Sequence, residues 1–217
     1  MSPIEVELGG ANATVFPVLT TWGWEIALYL FLGGLVAGMM LFSGTFRLAR
    51  REAFPHALRI ADFAGLPLLG AGLLLLIVDL SQAQNVWRLY TTLQVTSPMS
   101  WGAWILLLAM VVLGLWFVSR LEPIAAERFW LRAASPKSRL RGLRSLLIKV
   151  WGWAVAVGGW ARAKARPLAV ATVVLGLCLG FYTGLLLSTI SARPLWNSAA
   201  LAPLFLVSGL ASGGAFL

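Results

Sequence analysis

Three carboxylates stand inside or at the ends of apolar stretches: Glu25 in the first stretch, Asp62 and Asp79 towards the two ends of the second. A carboxylate at mid-bilayer costs roughly 2.5–3.5 kcal/mol on insertion scales, so each needs a partner, an interfacial depth or a chemical task. Such groups accept protons when ionised, and brace helices when paired with arginine. Arg59 stands one turn from Asp62 and can pair with it. Asp79 closes a helix, where a negative charge opposes the dipole and calls for a cation such as Arg88 or Arg193. Glu25 shares a helical face with Tyr29 and Gly33, at i+4 and i+8, and also suits the dipole of a helix N-terminus. Tyr182 lies well inside a later apolar run, where a phenol should find a hydrogen-bond partner.

Metal chemistry has few ligands here. His56 is the single histidine, so paired imidazoles for a haem are absent; Cys178 is the single cysteine, so there is no thiolate set for zinc or an iron–sulfur cluster. If electrons pass through this protein, a neighbour holds the haem or iron–sulfur centres.

The elements that must position these groups are set by composition. Of 217 residues 59% are hydrophobic and 12% charged, against about 25% charged in an ordinary soluble domain, which makes this a membrane protein. The net charge of +9 does not point to nucleic acid, because the cations lie between apolar spans. No Lys or Arg precedes Arg47, so the basic region of a cleavable signal peptide is missing and the first span is expected to be retained. Runs of suitable length predict an all-α, polytopic bundle with spans at Trp22–Phe46, Ala57–Leu80, Ser100–Ser119, Pro167–Ile190 and Ser198 to the chain end. Pro67 falls inside the second span and predicts a kink. Glycine pairs at Gly34/Gly38, Gly176/Gly180, Gly180/Gly184 and Gly209/Gly213 have the spacing of closely packed helices.

Charge orients the spans. All but Arg88 and Arg193 of the 17 cations fall on one side, which the positive-inside rule makes cytoplasmic and which puts the N-terminus outside. The chain then divides into an outer segment 1–21, helices one to three over 22–119, a basic cytoplasmic segment 120–166, and helices four and five over 167–217. Within the basic segment Leu146–Ala161 reads as an interfacial amphipathic helix, or more weakly as a re-entrant one, against lipid headgroups. Asp79 lies roughly 25 Å along the second helix from Asp62. Glu25 and Asp79 are thus outer and Asp62 inner. A lipid-accessible site with a phenol and carboxylates near the outer face suits a quinone, whose two carbonyls need hydrogen bonds and whose turnover needs a route for two protons. A rival reading is a proton- or ion-translocating subunit stepping through Glu25, Asp79 and Asp62; a third is a pure membrane anchor.

Several stretches carry a resemblance. Residues Trp22-Gly-Trp-Glu-Ile-Ala-Leu-Tyr-Leu-Phe-Leu-Gly-Gly-Leu-Val-Ala-Gly38 resemble the first-helix motif of the NrfD/polysulfide-reductase membrane-subunit family. Asp79-Leu80 with Trp87-Arg88 resembles its second-helix exit, and Ser97-Pro-Met-Ser-Trp-Gly-Ala-Trp104 its entry into the third helix. Tyr182–Ser188, Arg193–Asn197 and Leu204–Gly213 follow in the family's order. The resemblance implies a subunit that exchanges electrons with menaquinone or ubiquinone, holds no redox cofactor of its own and shows no independent catalytic activity. It implies a ferredoxin-like iron–sulfur partner at the outer face, a catalytic molybdenum or multihaem subunit, and the bacterial inner membrane as the location. Tyr182 matches a quinone-ligand tyrosine, Glu25 a variable polar position suited to proton acceptance, and Tyr29, Asp79 and Arg88 surround them. Asp62, Arg59 and Arg193 are structural or belong to a proton path. Family bundles have eight or more helices, so the sequence is expected to be truncated.

Overall fold

The computed structural model describes residues 24–49, 54–79, 91, 98–133, 141–188 and 198–217, and among them the regular elements are all helices. They are α1 (Trp24–Leu48), α2 (Pro55–Asp79), α3 (Pro98–Ala133), α4 (Arg141–Ala163), α5 (Ala165–Ser188) and α6 (Leu201–Phe216). Four are long and apolar enough to cross a bilayer, Trp24–Leu48, Pro55–Val78, Ser100–Leu121 and Ala165–Ser188, while Leu201–Phe216 is a shorter apolar helix. The protein is a multi-pass membrane protein.

The ends of these helices follow local chemistry. Pro55 and Pro98 each occupy the first helical position, where the missing N–H has no partner to lose. Helix α2 runs on through Pro67 from Pro55 to Asp79. The third helix reaches Ala133 instead of stopping near Ser119. The apolar run ends there, but Leu, Glu, Ala and Arg keep helix propensity high beyond it. Helix α4 likewise starts at Arg141, ahead of the expected Leu146. It passes to α5 through Lys164 alone, whose amide donates to Trp160 O at 3.0 Å and whose carbonyl accepts from Leu168 N at 3.1 Å.

Helices α1, α2, α3 and α5 form a ring in which each packs on the next and α5 closes on α1. Neighbours are antiparallel: Gly72 of α2 faces Tyr29 and Leu32 of α1, while Met39 meets Ala61 towards the other end. On α3, Met110 and Leu113 face Gly70 and Gly65 of α2, and Phe63 meets Phe117 edge to face with centroids 5.7 Å apart. Leu69, Leu106, Ala109, Leu113, Leu179, Val36 and Met40 fill the ring's interior.

Outside the ring, α6 lies against α1 and α5. The paired glycines make this possible. A Cβ on Gly38 would collide with the carbonyl oxygen of Gly209, one on Gly209 would come 2.6 Å from Gly34 O, and one on Gly213 2.6 Å from Gly38 C. The same spacing brings Gly176 of α5 to the Ala37 carbonyl of α1, and Gly184 to Ala202 of α6. Helix α4 packs mainly on α3, with Gly158 against the backbone of Val118 and Ser119.

Candidate functional site

One mouth of the ring carries the candidate groups. Tyr182 of α5 is 7% exposed and presses its ring edge onto Gly102 of α3, where an added Cβ would collide with Cζ, Oη and Cε2. Thr183 sets the depth of that contact. Its Cγ2 lies 3.7 Å from where a Cβ on Gly33 of α1 would stand, and its Oγ1 donates back to Gly180 O at 2.9 Å. Tyr29 is 3% exposed and belongs to the interior cluster with Leu106, one turn along α3 from Gly102, and Leu187 of α5. Glycine at 102 therefore gives the Tyr182 phenol its place against a neighbouring helix, while the Tyr29 ring meets Gly72 of α2 at ordinary van der Waals distance.

Glu25 is at the same mouth but at another depth. It is half-buried in the first turn of α1. Eight residues separate it from Gly33, which is level with Thr183, so its Cα stands roughly 12 Å further out than the backbone that carries Tyr182, with Tyr29 between the two levels. Asp79 is the last residue of α2, at this same mouth. Arg88 and Arg193, with Trp22, lie outside the described residues.

The opposite mouth is closed by a polar network to which all four ring helices contribute. Asp62 of α2, 2% exposed, accepts on Oδ1 from Nη2 of Arg47 on α1 and on Oδ2 from Nε of Arg120 on α3 at 2.7 Å. The Arg47 guanidinium also lies 3.5 Å above the Trp116 ring centroid, a favourable placement for a cation in a water-poor site. Trp116 Nε1 donates to Thr172 Oγ1 of α5 at 2.9 Å, and that hydroxyl donates to Leu168 O at 2.7 Å. Ser119 Oγ donates to Trp116 O at 2.6 Å, and Arg162 of α4 reaches Ser119 O at 3.2 Å.

This corrects the expected pairing of Asp62 with Arg59. Arg59 is exposed on α2, whereas Arg47 and Arg120 reach across from the two flanking helices and occupy both carboxylate oxygens. Sequence reasoning counted Arg47 and Arg120 among the cations of the basic side and missed them as partners. The available signal was an acid embedded in an apolar run, which requires a cation from somewhere. Among the described residues no group of three or more His, Cys, Asp and Glu side chains could hold a metal ion.

Comparison with known proteins adds a family. The family model described as polysulphide reductase, NrfD, matches residues 14–217. Protein NrfD of Escherichia coli (strain K12) is 34% identical over 204 residues, covering 89% of this sequence and 57% of the relative. A polysulfide reductase polypeptide of Wolinella succinogenes is 31% identical over 195 residues, covering 88% and 55%. A selenate reductase polypeptide of Mesobacillus selenatarsenatis is 26% identical over 220 residues, covering 96% and 49%. The protein thus spans about half the length of the relatives it matches. No solved structure gives a significant match.

Proposed function

Because the chain belongs to the NrfD polysulphide reductase family, we propose that it is part of the membrane subunit of a respiratory oxidoreductase, and that it exchanges electrons with a quinone at the Tyr182 mouth of the ring. The observation that carries this reading is the seating of Tyr182 on Gly102 at one mouth, with Tyr29 buried in the second turn of α1 at the same end. A quinone head group is flat and apolar except for its two carbonyls, and a buried phenol can donate to one of them.

Oxidation of a quinol releases two electrons and two protons; reduction of a quinone consumes them. The electrons pass to or from an iron–sulfur partner subunit at this mouth. Tyr182 binds and orients the head group. Glu25, nearer the surface, takes up or delivers the two protons one after the other, and Tyr29 lies between the two levels. The charge pattern of the sequence assigns Asp79, Arg88 and Arg193 to the same outer side, where they would supply charge to the site. The partner complex contains a catalytic subunit with molybdenum or several haems, in a bacterial inner membrane with the N-terminus outside. The network at Asp62 favours this reading over an ion path through the bundle, since a carboxylate engaged on both oxygens by two guanidiniums is a brace between helices.

The test is quinone-linked turnover in the assembled complex carrying Tyr182→Phe or Glu25→Gln. Each is expected to lose at least about tenfold in kcat/KM, a change of roughly 1.4 kcal/mol in transition-state stabilisation. Wild-type turnover in both variants overturns the assignment.

A further inference from the structure

We propose that Gly102 is a positioning residue for quinone binding: its bare Cα is the slot that holds the Tyr182 phenol in its binding pose. The inference rests on the quinone reading and adds to it a residue that touches no substrate.

The backbone carrying Tyr182 is fixed on two sides. Gly180 and Gly184 bring α5 against Leu206 and Ala202 of α6, and Thr183 sets it against Gly33 of α1. With α5 so held, the position of the phenolic oxygen depends on the tyrosine's side-chain torsions, and these are limited by what the ring meets. It meets Gly102. The atoms that a Cβ there would strike are Cζ, Oη and Cε2, the hydroxyl-bearing edge of the ring. A glycine in a helix interior is destabilising relative to alanine, so its presence calls for a structural reason. At Gly102 the Tyr182 ring fills the space a methyl would need, whereas at Gly114, three turns along α3, nothing lies within 4 Å of where a Cβ would be. The two glycines on one helix thus separate the effect of a slot from the effect of helix propensity.

The consequence is specific. Alanine at 102 turns the phenol away without removing it, so the hydrogen bond to the bound head group weakens while the proton path through Glu25 is untouched. That predicts a larger change in KM than in kcat.

The experiment uses the full-length subunit in its native complex, with a short-tailed soluble quinol as substrate and a hydroxyquinoline N-oxide inhibitor as a binding probe. Gly102→Ala is expected to raise the quinol KM about tenfold, with kcat within about twofold of wild type, and to weaken the inhibitor by a similar factor. Gly114→Ala changes neither. In a Tyr182→Phe background Gly102→Ala adds less than about twofold, because the hydroxyl whose place it sets is gone. Wild-type KM and inhibitor affinity in Gly102→Ala, with Tyr182→Phe impaired, overturns the slot and leaves the quinone reading standing; so does a tenfold effect that persists in the Tyr182→Phe background. Wild-type kinetics in Tyr182→Phe alone overturns the slot, and wild-type kinetics in both Tyr182→Phe and Glu25→Gln overturns the quinone reading with it. If Gly102→Ala alone blocks assembly, Gly102→Ala/Tyr182→Ala restores it, and failure to restore it overturns the proposal.

Discussion

Arg120 donates from Nε to Oδ2 of Asp62 at 2.7 Å, although 58 positions separate the two residues. With Arg47 on the other carboxylate oxygen, one acid ties the first three ring helices together. Removing it takes from Arg47, whose side chain is 10% exposed, the carboxylate it is paired with. We expect Asp62→Ala to destabilise the subunit by about 3–5 kcal/mol, the usual cost of breaking a buried pair from one side. Thermal unfolding in detergent measures it. Asp62→Asn should also lower the yield of assembled complex while turnover per assembled complex stays within about twofold of wild type, the pair being remote from the phenols. Loss of turnover at normal assembly would instead favour the ion-path reading.

Trp116 offers a milder test of the same network. It lies beneath the Arg47 guanidinium and donates to Thr172 of α5. Trp116→Phe keeps an aromatic face and loses the indole donor, at an expected cost of about 1–2 kcal/mol. Thr172→Val should cost a similar amount, and the double variant less than the sum, since both remove one hydrogen bond. Full additivity would mean that the bond contributes nothing.

Glycine-mediated packing predicts a graded series. Gly38→Val and Gly209→Val place side-chain atoms against backbone of the facing helix, and backbone has no rotamer by which to move aside. Each should cost more than the roughly 1–3 kcal/mol usual for overpacking and separate α6 from α1. Gly152→Ala, where nothing lies within 4 Å, should be neutral or stabilising by up to about 1 kcal/mol. Protease protection of α6 distinguishes the two outcomes.

The orientation rests on charge and is tested by charge. A single cysteine substituted for Ala49, at the Asp62 mouth, is expected to be labelled only from the cytoplasmic side in a Cys178→Ala background. Moving the basic residues is the control: replacing Arg50, Arg51 and Arg59 with glutamine weakens the bias. Labelling of position 49 from outside would invert the topology and put the phenols on the cytoplasmic face.

Much of the bundle was legible because the signals are local. Apolar runs fix where helices cross, and the Gly34/Gly38 and Gly209/Gly213 spacing announces contacts that the structure places against one another. The pairing of Asp62 was not legible. Its nearest cation in sequence, Arg59, is on the wrong face, and its partners come from other helices, 15 and 58 positions away. Gly102 was legible as part of a motif around Trp101 and Trp104 but not as the seat of Tyr182, since nothing local to either residue encodes that contact. Depth was read from helix ends, which put Glu25 and Tyr182 towards one side; the roughly 12 Å offset of their backbones along the bundle emerges once α5 is set against α1 by Thr183.

The ring closes between α3 and α5 directly, so the hairpin of the α3 tail and α4 is an excursion that leaves one wall and rejoins the next. Val118, Ser119, Gly158 and Arg162 hold its base. Closure of that wall thus rests on contacts that α3 and α5 make with each other, and α4 buttresses α3 from outside. A change that loosens α4 at Gly158 is therefore expected to leave the phenols and the Asp62 brace in register.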